Sequence, residues 1–492
     1  MYPVFFLIAA CALILWQYYS KKSFAKIIAP VFYIAIAGYI ASFFLQPVTM
    51  DVKGPKLILE LIFVSIVSIL TGSLKEKPIA LLASLSLTVL FTILFVKWDS
   101  SRENPLVPLS KNGELLIELH DNKDFESLSV TANVPIIRAF NPEDELATTL
   151  DNYYTVDAPN DYEALQELFN QLTAHPAVKY VEYNEVVNIP AEVLVPTKKS
   201  GENLGVNDPE VGQQWGLEKM DLAAFHASLK NIKPKKKALI AILDTGVDAN
   251  HEDIKGNYKS IKKKYDQDGN KHGTHCAGVA AAVTNNKKGV ASLSPNGDFI
   301  EVTSIKVLAG FGGGTQAGII AGMIEAADAG ADVISMSLGG RSNEASKKAY
   351  SDAVEYCNKK GAIVIVAAGN SNINANQFAP ANTPGVITVA AVDRDLKKAS
   401  FSNTTNDIEM AVSAPGVEIH STLPDNKYGA LSGTSMSTPY VAGLVGIMKS
   451  INSDLTTKEA FEILNDSGTA TKDVKQIGRL IQPKKAVESI NR

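Results

Sequence analysis

The chain has 492 residues, too many for one ordinary domain. Its 47 basic and 52 acidic residues leave a formal net charge of -5 with no long basic block, which argues against nucleic acid as a partner. Three cysteines, Cys11, Cys276 and Cys357, cannot build a disulfide framework and so do not fix the compartment.

Four apolar runs fill the first hundred residues: Val4–Tyr19, Ile27–Val48, Leu57–Leu74 and Pro78–Val96. A membrane-spanning helix needs about 20 mostly apolar residues, which the second and fourth runs supply. Glu60 weakens the third. The first is short enough for a signal peptide. Yet no basic segment precedes it, and Trp16-Gln17-Tyr18-Tyr19 stands where a small-residue cleavage site would be. Residues 1–98 are therefore expected to form four transmembrane helices, with three as the alternative. Lys21, Lys22 and Lys26 follow the first run, so the positive-inside rule puts residues 20–26 in the cytoplasm and Met1 outside. Lys75 and Lys77 are then inside as well, and everything after Trp98 is extracytoplasmic. Lys53, Lys56, Lys97 and Arg102 fall on the outer side and narrow the margin.

Residues 99–190 have the composition of a small soluble domain. Glu114–Leu119 and Asn152–Val156 read as strands, and Val178–Tyr183 alternates as a third. Tyr162–Leu172 reads as an amphipathic helix with Leu165, Leu168, Phe169 and Leu172 on one face. The pattern suggests an α+β sandwich. Residues 191–206, holding Pro196, Lys198, Lys199, Ser200 and Gly201, read as a linker.

From Lys237 onward, apolar runs without polar alternation read as buried strands: Ala238–Leu243, Ile300–Val307, Val333–Ser337, Ile363–Ala367 and Val386–Val392. Thr315–Ala329 and Ala345–Lys359 read as intervening helices. This predicts an α/β domain over residues 207–492, a mainly parallel sheet flanked by helices. Ligands of such sheets bind beyond the carboxyl ends of the strands, where Asp244 falls.

Three segments carry chemistry. Asp244-Thr245-Gly246 follows a strand; as an aspartic-protease signature it would need a second copy, and the chain has one. His272-Gly273-Thr274-His275 opens a small-residue helix. As a zinc motif it lacks the glutamate of H-E-x-x-H. Cys276 reads as buried packing. Ser435 precedes Met436-Ser437-Thr438-Pro439 and an apolar helix, with Pro439 fitted to a first helical turn. A lone serine there is usually an N-cap. With the other two segments it completes an acid, a base and a nucleophile, the inventory for acyl transfer.

With these residues in hand, the region from about Asn207 to the C-terminus resembles the subtilisin-like serine proteases. The order Asp, His, Ser is subtilisin's and is itself part of the resemblance. Ser437 stands where the family usually has alanine. The resemblance implies that Asn370, in Ala367-Ala368-Gly369-Asn370, is the side-chain oxyanion donor beside the backbone N–H of Ser435. It makes Ser337-Leu338-Gly339-Gly340 a wall of the P1 pocket. It makes Gly310 and Gly312, Gly313 and Gly314 the strand that pairs with substrate; no Gly-Lys-Ser/Thr follows, so this run is not a phosphate loop. The Ala379-Pro380 bond is often cis in the family. Asp253 and Asn286, with carbonyls near Thr284, Lys288 and Val290 and a contribution from Asp208, match a structural calcium site. Catalysis itself needs no cofactor. Asp266-Gln267-Asp268-Gly269-Asn270 also reads as an oxygen-rich cation loop. The pocket segments carry no acidic residue, so an apolar or broad P1 preference is expected.

The small domain resembles the family's inhibitory propeptide, with His175–Tyr183 as its last helix and strand. Cleavage is expected between Asn188 and Val206. The whole then reads as a multi-pass membrane protein with an extracytoplasmic serine endopeptidase, whose partners are polypeptide substrates, the membrane and its own propeptide. Two alternatives stand beside it: a non-proteolytic membrane binding or signalling protein, and a permanent spacer in place of the propeptide.

Overall fold

The computed structural model describes residues 2–19, 28–36, 64, 84, 86, 88, 92, 115–132, 134–145, 148–158, 162–189, 204–342 and 347–490. The chain divides into two compact units, Met1–Leu106 and Val107–Arg492.

In the first unit, Tyr2–Tyr18 forms a helix of 17 residues and residues 28–36 are helical. Trp16 packs against Phe32 and Tyr33, with ring centroids 5.7 and 5.8 Å away. Among the described residues no helix is long and apolar enough to cross a membrane. Most of the second expected span and nearly all of the third and fourth lie outside the described residues.

The second unit opens with the small domain. Strands β1 (Leu115–Leu119), β2 (Ile136–Arg138), β3 (Tyr153–Val156) and β4 (Val178–Tyr183) form an antiparallel sheet in the order β2-β3-β1-β4. Phe125–Ala132 and Tyr162–Ala174 are its helices. The expected apolar face of the second helix is present: Leu165, Leu168 and Leu172 are buried, and Phe169 stacks on Tyr183. β2 and the first helix are too short and too mixed to announce themselves in sequence.

β1 is buried along its whole length, because the larger C-terminal domain covers what the helices do not. Leu116, Phe140, Leu150, Tyr153 and Val187 belong to the same apolar cluster as Tyr350, Ala353 and Val354 of the Lys348–Lys359 helix. Polar contacts cross the same seam. Tyr153 OH donates to Asp352 at 2.7 Å, the Ala317 amide donates to Asn184 Oδ1 at 2.9 Å, and Gln316 Nε2 donates to Glu182 at 3.0 Å. Burial pushes the Glu182 carboxyl well above the usual carboxylate range, helped by the neighbouring Glu185 and Asp352. After β4, β5 (Val186–Asn188) leaves the small sheet and pairs antiparallel with β8 (Gly313–Thr315) of the larger C-terminal domain.

The larger C-terminal domain is built on a seven-stranded sheet. Its strands are β6 (Ala238–Asp244), β7 (Ile300–Lys306), β9 (Val333–Met336), β11 (Ile363–Ala367), β13 (Ile387–Val392), β14 (Ala411–Pro415) and β17 (Arg479–Leu480). They are parallel in the order β17-β14-β13-β11-β9-β6-β7. Successive side chains of a strand point to opposite faces, and both faces are covered. Ile240, Ile242, Ile363 and Ile365 pack with the Thr434–Ile451 helix. Ala241, Leu243, Val364 and Val366 pack with the Gln316–Asp328 and Lys348–Lys359 helices. Hence the strands read as continuous apolar runs. Short antiparallel pairs complete the domain: β10 (Gly340–Arg341) with β12 (Phe378–Ala379), and β15 (Ile419–Leu423) with β16 (Lys427–Leu431). The Ala379-Pro380 peptide is cis. β14 to β17 were not anticipated; β16 is edge-like and partly exposed, and β17 has two residues.

At the carboxyl end of the sheet, Lys271 has φ 121°, a conformation that favours glycine, directly before the helix His272–Ala281. Such a backbone costs about 1–3 kcal/mol in a residue with a Cβ. Replacing Lys271 by glycine in a Ser435→Ala background should raise stability by about 1 kcal/mol, after the entropy that glycine adds to the unfolded chain. The check is a higher thermal midpoint; an unchanged or lower one would mean that the loop relaxes the strain elsewhere.

Candidate active site

Asp244 closes β6 and is fully buried. Both its oxygens lie 2.8 Å from His272 Nδ1, and Oδ1 also accepts the Thr245 amide at 2.7 Å. With Nδ1–H donating to the carboxylate, Nε2 is the basic nitrogen of His272. His272 is itself the first residue of its helix.

Two features hold this pair. A Cβ on Gly273 would lie 2.1 Å from the Gly246 carbonyl oxygen, so the Asp-Thr-Gly and His-Gly-Thr-His segments close on each other only with glycine there. Asp268 ties the segments together: Oδ1 accepts from Thr245 Oγ1, Asn270 N and Lys271 N, and Oδ2 from Thr274 N and Oγ1. Asp266 accepts from Tyr258 OH and Ser260 Oγ. The oxygen-rich loop expected to attract a cation therefore has both carboxylates engaged with hydrogen-bond donors. In sequence Thr245 stands only inside the quoted triplet and Asp268 only inside the cation loop, and neither is given a role there in holding the acid and base together.

The second histidine of the motif has a different task. His275 is buried, with Nε2 2.9 Å from the Ile419 carbonyl. Burial first, and then His272, lower its pKa to about 3, so it stays neutral. Cys276 is buried with Sγ 4.0 Å from His272 Nδ1. Among the described residues, Asp244, His272 and Cys276 are the set whose ligand atoms all fall within 4.8 Å. Burial raises the Cys276 thiol pKa, and its Sγ–H donates to the Ser435 carbonyl at 3.6 Å.

Ser435 is the second residue of the Thr434–Ile451 helix. Its Oγ donates to the Ser337 carbonyl at 3.3 Å. Pro439 lies inside this helix, not in its first turn as expected. Proline removes the N–H that would bond the carbonyl four residues back, which is that of Ser435. That carbonyl is satisfied instead by Ser337 Oγ at 2.7 Å. The substitution of partners anchors the helix start to the Ser337-Leu338-Gly339 segment.

Asn370 Oδ1 accepts both Thr434 N at 2.9 Å and Thr434 Oγ1 at 2.8 Å. Both donors on Oδ1 leave Nδ2 on the opposite side of the amide, able to donate outward. Thr434, another residue that the sequence reading passed over, thus sets the orientation of Asn370.

Of the residues expected to bind substrate, Gly313 and Gly314 are in β8 and already carry a partner, β5 of the same chain. The Ile189 amide extends the ladder by donating to the Gly312 carbonyl at 2.9 Å. Gly340, next to Gly339, comes within 3.4 Å of Val187 Cγ2, measured from the position of an added Cβ. Gly310 accepts from Asn270 Nδ2 at 2.9 Å. The two walls of the expected groove therefore enclose a strand.

The expected cation ligands also converge. Asp208 accepts the Asn285 and Asn286 amides, and Asp253 accepts Asn286 Nδ2 at 2.7 Å and the Val290 amide at 2.8 Å. Burial pushes Asp253 up to about 7, with Asp208 and Glu252 adding to the rise. Thr284 Oγ1 donates to Ser292 O, and the Lys288 amide donates to Asn286 Oδ1. All four carboxylate oxygens accept N–H donors here too, so a cation would share or displace them. What sets this site apart from the Asp266–Asn270 loop is two buried carboxylates side by side with a carboxamide, the charge and oxygen ligands a hard divalent cation takes.

The sequence model of the subtilase family matches residues 235–479. Thermitase of Thermoactinomyces vulgaris is 40% identical over 250 residues, covering 50% of this chain and 85% of thermitase. A thermophilic serine proteinase of Bacillus sp. (strain AK1) is 40% identical over 315 residues, covering 62% of this chain and 73% of that protein. Among solved structures, a protease from Pseudoalteromonas arctica superimposes with a TM-score of 0.52 at 27% identity, covering 58% of this chain and 99% of its own. With an acid, a base and a serine gathered at the carboxyl end of a parallel sheet, the chain belongs to the subtilase family and is a subtilisin-like serine endopeptidase.

Proposed function

We propose that this endopeptidase is made as a membrane-anchored zymogen, held by residues 1–98 and inhibited by residues 99–190, with its catalytic domain (207–492) outside the cytoplasm. The pairing of β5 with β8 carries the zymogen reading, since the end of the small domain fills the edge that a substrate strand would use. The shared apolar cluster supports it as well. The apolar composition of the first hundred residues and their flanking lysines support the anchor and its orientation. Cleavage between Asn188 and Val206 would release the enzyme from inhibitor and anchor together; residues 190–203 lie outside the described residues.

In this reading Ser435 Oγ turns from the Ser337 carbonyl toward His272 Nε2 and attacks the peptide carbonyl. His272 takes the proton and later returns it to the leaving amine. Asp244 holds the imidazole in the Nδ1–H tautomer and stabilises the imidazolium. Asn370 Nδ2 and the Ser435 amide, at a helix N-terminus, bind the oxyanion. Ser337, Leu338 and Gly339 line the P1 side. Water then hydrolyses the acyl-enzyme. Asp208, Asp253 and Asn286, with carbonyls near Thr284, Lys288 and Val290, would hold a calcium ion, whose charge would offset the two carboxylates and stabilise the fold.

Intact mass and N-terminal sequencing of the detergent-extracted protein test the zymogen reading. Wild type should show a new N-terminus between Asn188 and Val206, while Ser435→Ala stays full length. If both remain full length, self-processing is wrong. Replacing Asn370 by alanine should lower turnover of a peptide nitroanilide by about 10²–10³-fold with little change in KM. The raised Asp253 pKa sets a pH signature. In chelator this carboxyl's contribution to stability is full below about pH 4 and is lost as pH rises to about 7, so the thermal midpoint of wild type relative to Asp253→Asn should fall across that window and level off above it. Saturating calcium should abolish that fall.

A further inference from the structure

Among the described residues of the protease domain, Phe311 is the large apolar side chain left exposed, at 81% of its full area. It stands between Gly310 and Gly312, at the entrance to β8. Asn188 and Gly313 face each other directly across the β5–β8 pair. A Cβ on Gly313 would lie 2.3 Å from Phe311 Cε2 and 2.7 Å from Asn188 Oδ1. The ring and the Asn188 side chain therefore flank one point above the sheet, and Gly313 leaves room for both. Side chains alternate along β5: Val187 is 2% exposed and turned into the enzyme, whereas Asn188 is exposed and turned outward, over Gly313 and beside the ring. A carboxamide has little apolar surface to lay on an aromatic ring, so the ring stays in water.

We propose that Phe311 is a specificity-determining residue, selecting polypeptide substrates with an aromatic or branched aliphatic side chain at the register position that Asn188 holds. Covering an exposed aromatic with apolar surface is favourable, and ring contacts add to it. The strand of the chain's own small domain forgoes this contact at Asn188. A substrate that makes it has an advantage in displacing that strand from β8. The inference rests on β8 being the substrate edge.

The test uses a series of quenched fluorogenic peptides carrying the Val-Val-X-Ile-Pro order of residues 186–190, with X as Asn, Asp, Leu or Phe. Active enzyme is titrated with a fluorophosphonate so that every variant is compared per active serine. Peptides that are bound but not cut are ranked by inhibition of casein hydrolysis. Leu and Phe should exceed Asn in kcat/KM, or in affinity, by about fivefold to tenfold, chiefly through KM. Phe311→Ser, at an exposed position, should bring the four peptides to within about twofold of each other. A preference that survives Phe311→Ser, or no preference in wild type, overturns the proposal. Gly314→Val tests the underlying reading separately, since a side chain there would lie 2.5 Å from the Val307 carbonyl and disturb the edge. If that variant, still reactive with fluorophosphonate, handles all peptides like wild type, β8 is not the substrate edge.

Discussion

The arrangement depends on one buried charge. Asp244 ends a strand covered on both faces, so its carboxylate has no water to solvate it. A buried carboxylate persists only with donors around it. The Thr245 amide and His272 Nδ1 supply them. Bringing His272 there requires the two loops to close on one another, hence Gly273 and the bridging Asp268. The geometry of the acid and base is thus the solution to a solvation problem at the end of β6. The strained Lys271 lies in the same turn.

The serine side of the site is fixed by a second piece of hydrogen-bond accounting. Pro439 releases the Ser435 carbonyl from the helix, and Ser337 takes it up. Thr434 orients Asn370 from the residue before the serine. Helix start, pocket wall and amide donor are therefore mutually positioned by bonds among adjacent residues. The small domain meets this machinery from outside. It docks on the first residues of the Gln316–Asp328 and Lys348–Lys359 helices and delivers β5 to the edge of β8. Its buried carboxyls, Glu118 and Glu182, are met from across the seam by Lys348 Nζ and Gln316 Nε2, while Lys179 pairs with Glu118 from within the small domain, so the seam is polar and apolar at once.

Much of this was legible in the chain. The runs at Ala238, Ile300, Val333, Ile363 and Val386 are apolar without alternation because both faces of those strands are covered, and each became a strand of the parallel sheet. The helix at Tyr162 carries its periodicity on the surface of a small domain, where one face must be dry. β16 and β17 escaped because a partly exposed strand and a two-residue strand leave no period, whereas β14 and β15 are buried throughout and escaped because Ser413, Pro415, His420, Ser421 and Thr422 break up their apolar runs. Pro439 misled because its place in the helix depends on a partner for the Ser435 carbonyl, Ser337, that is 98 residues from Ser435 in sequence.

Local order along the chain determined the chemical inventory: which acid, which base, which serine, and which glycines permit close approach. These are encoded in contiguous segments because each sits at the end of one strand or the start of one helix. The tertiary structure alone decided what surrounds them. Asp268 became a tie between loops rather than a cation ligand, His275 a neutral structural group, and Thr434 the orienter of Asn370. It also laid β5 against β8 and left Phe311 in water beside it. Solvation and pairing of polar groups depend on atoms brought together from distant parts of the chain, and no local pattern of residues records them.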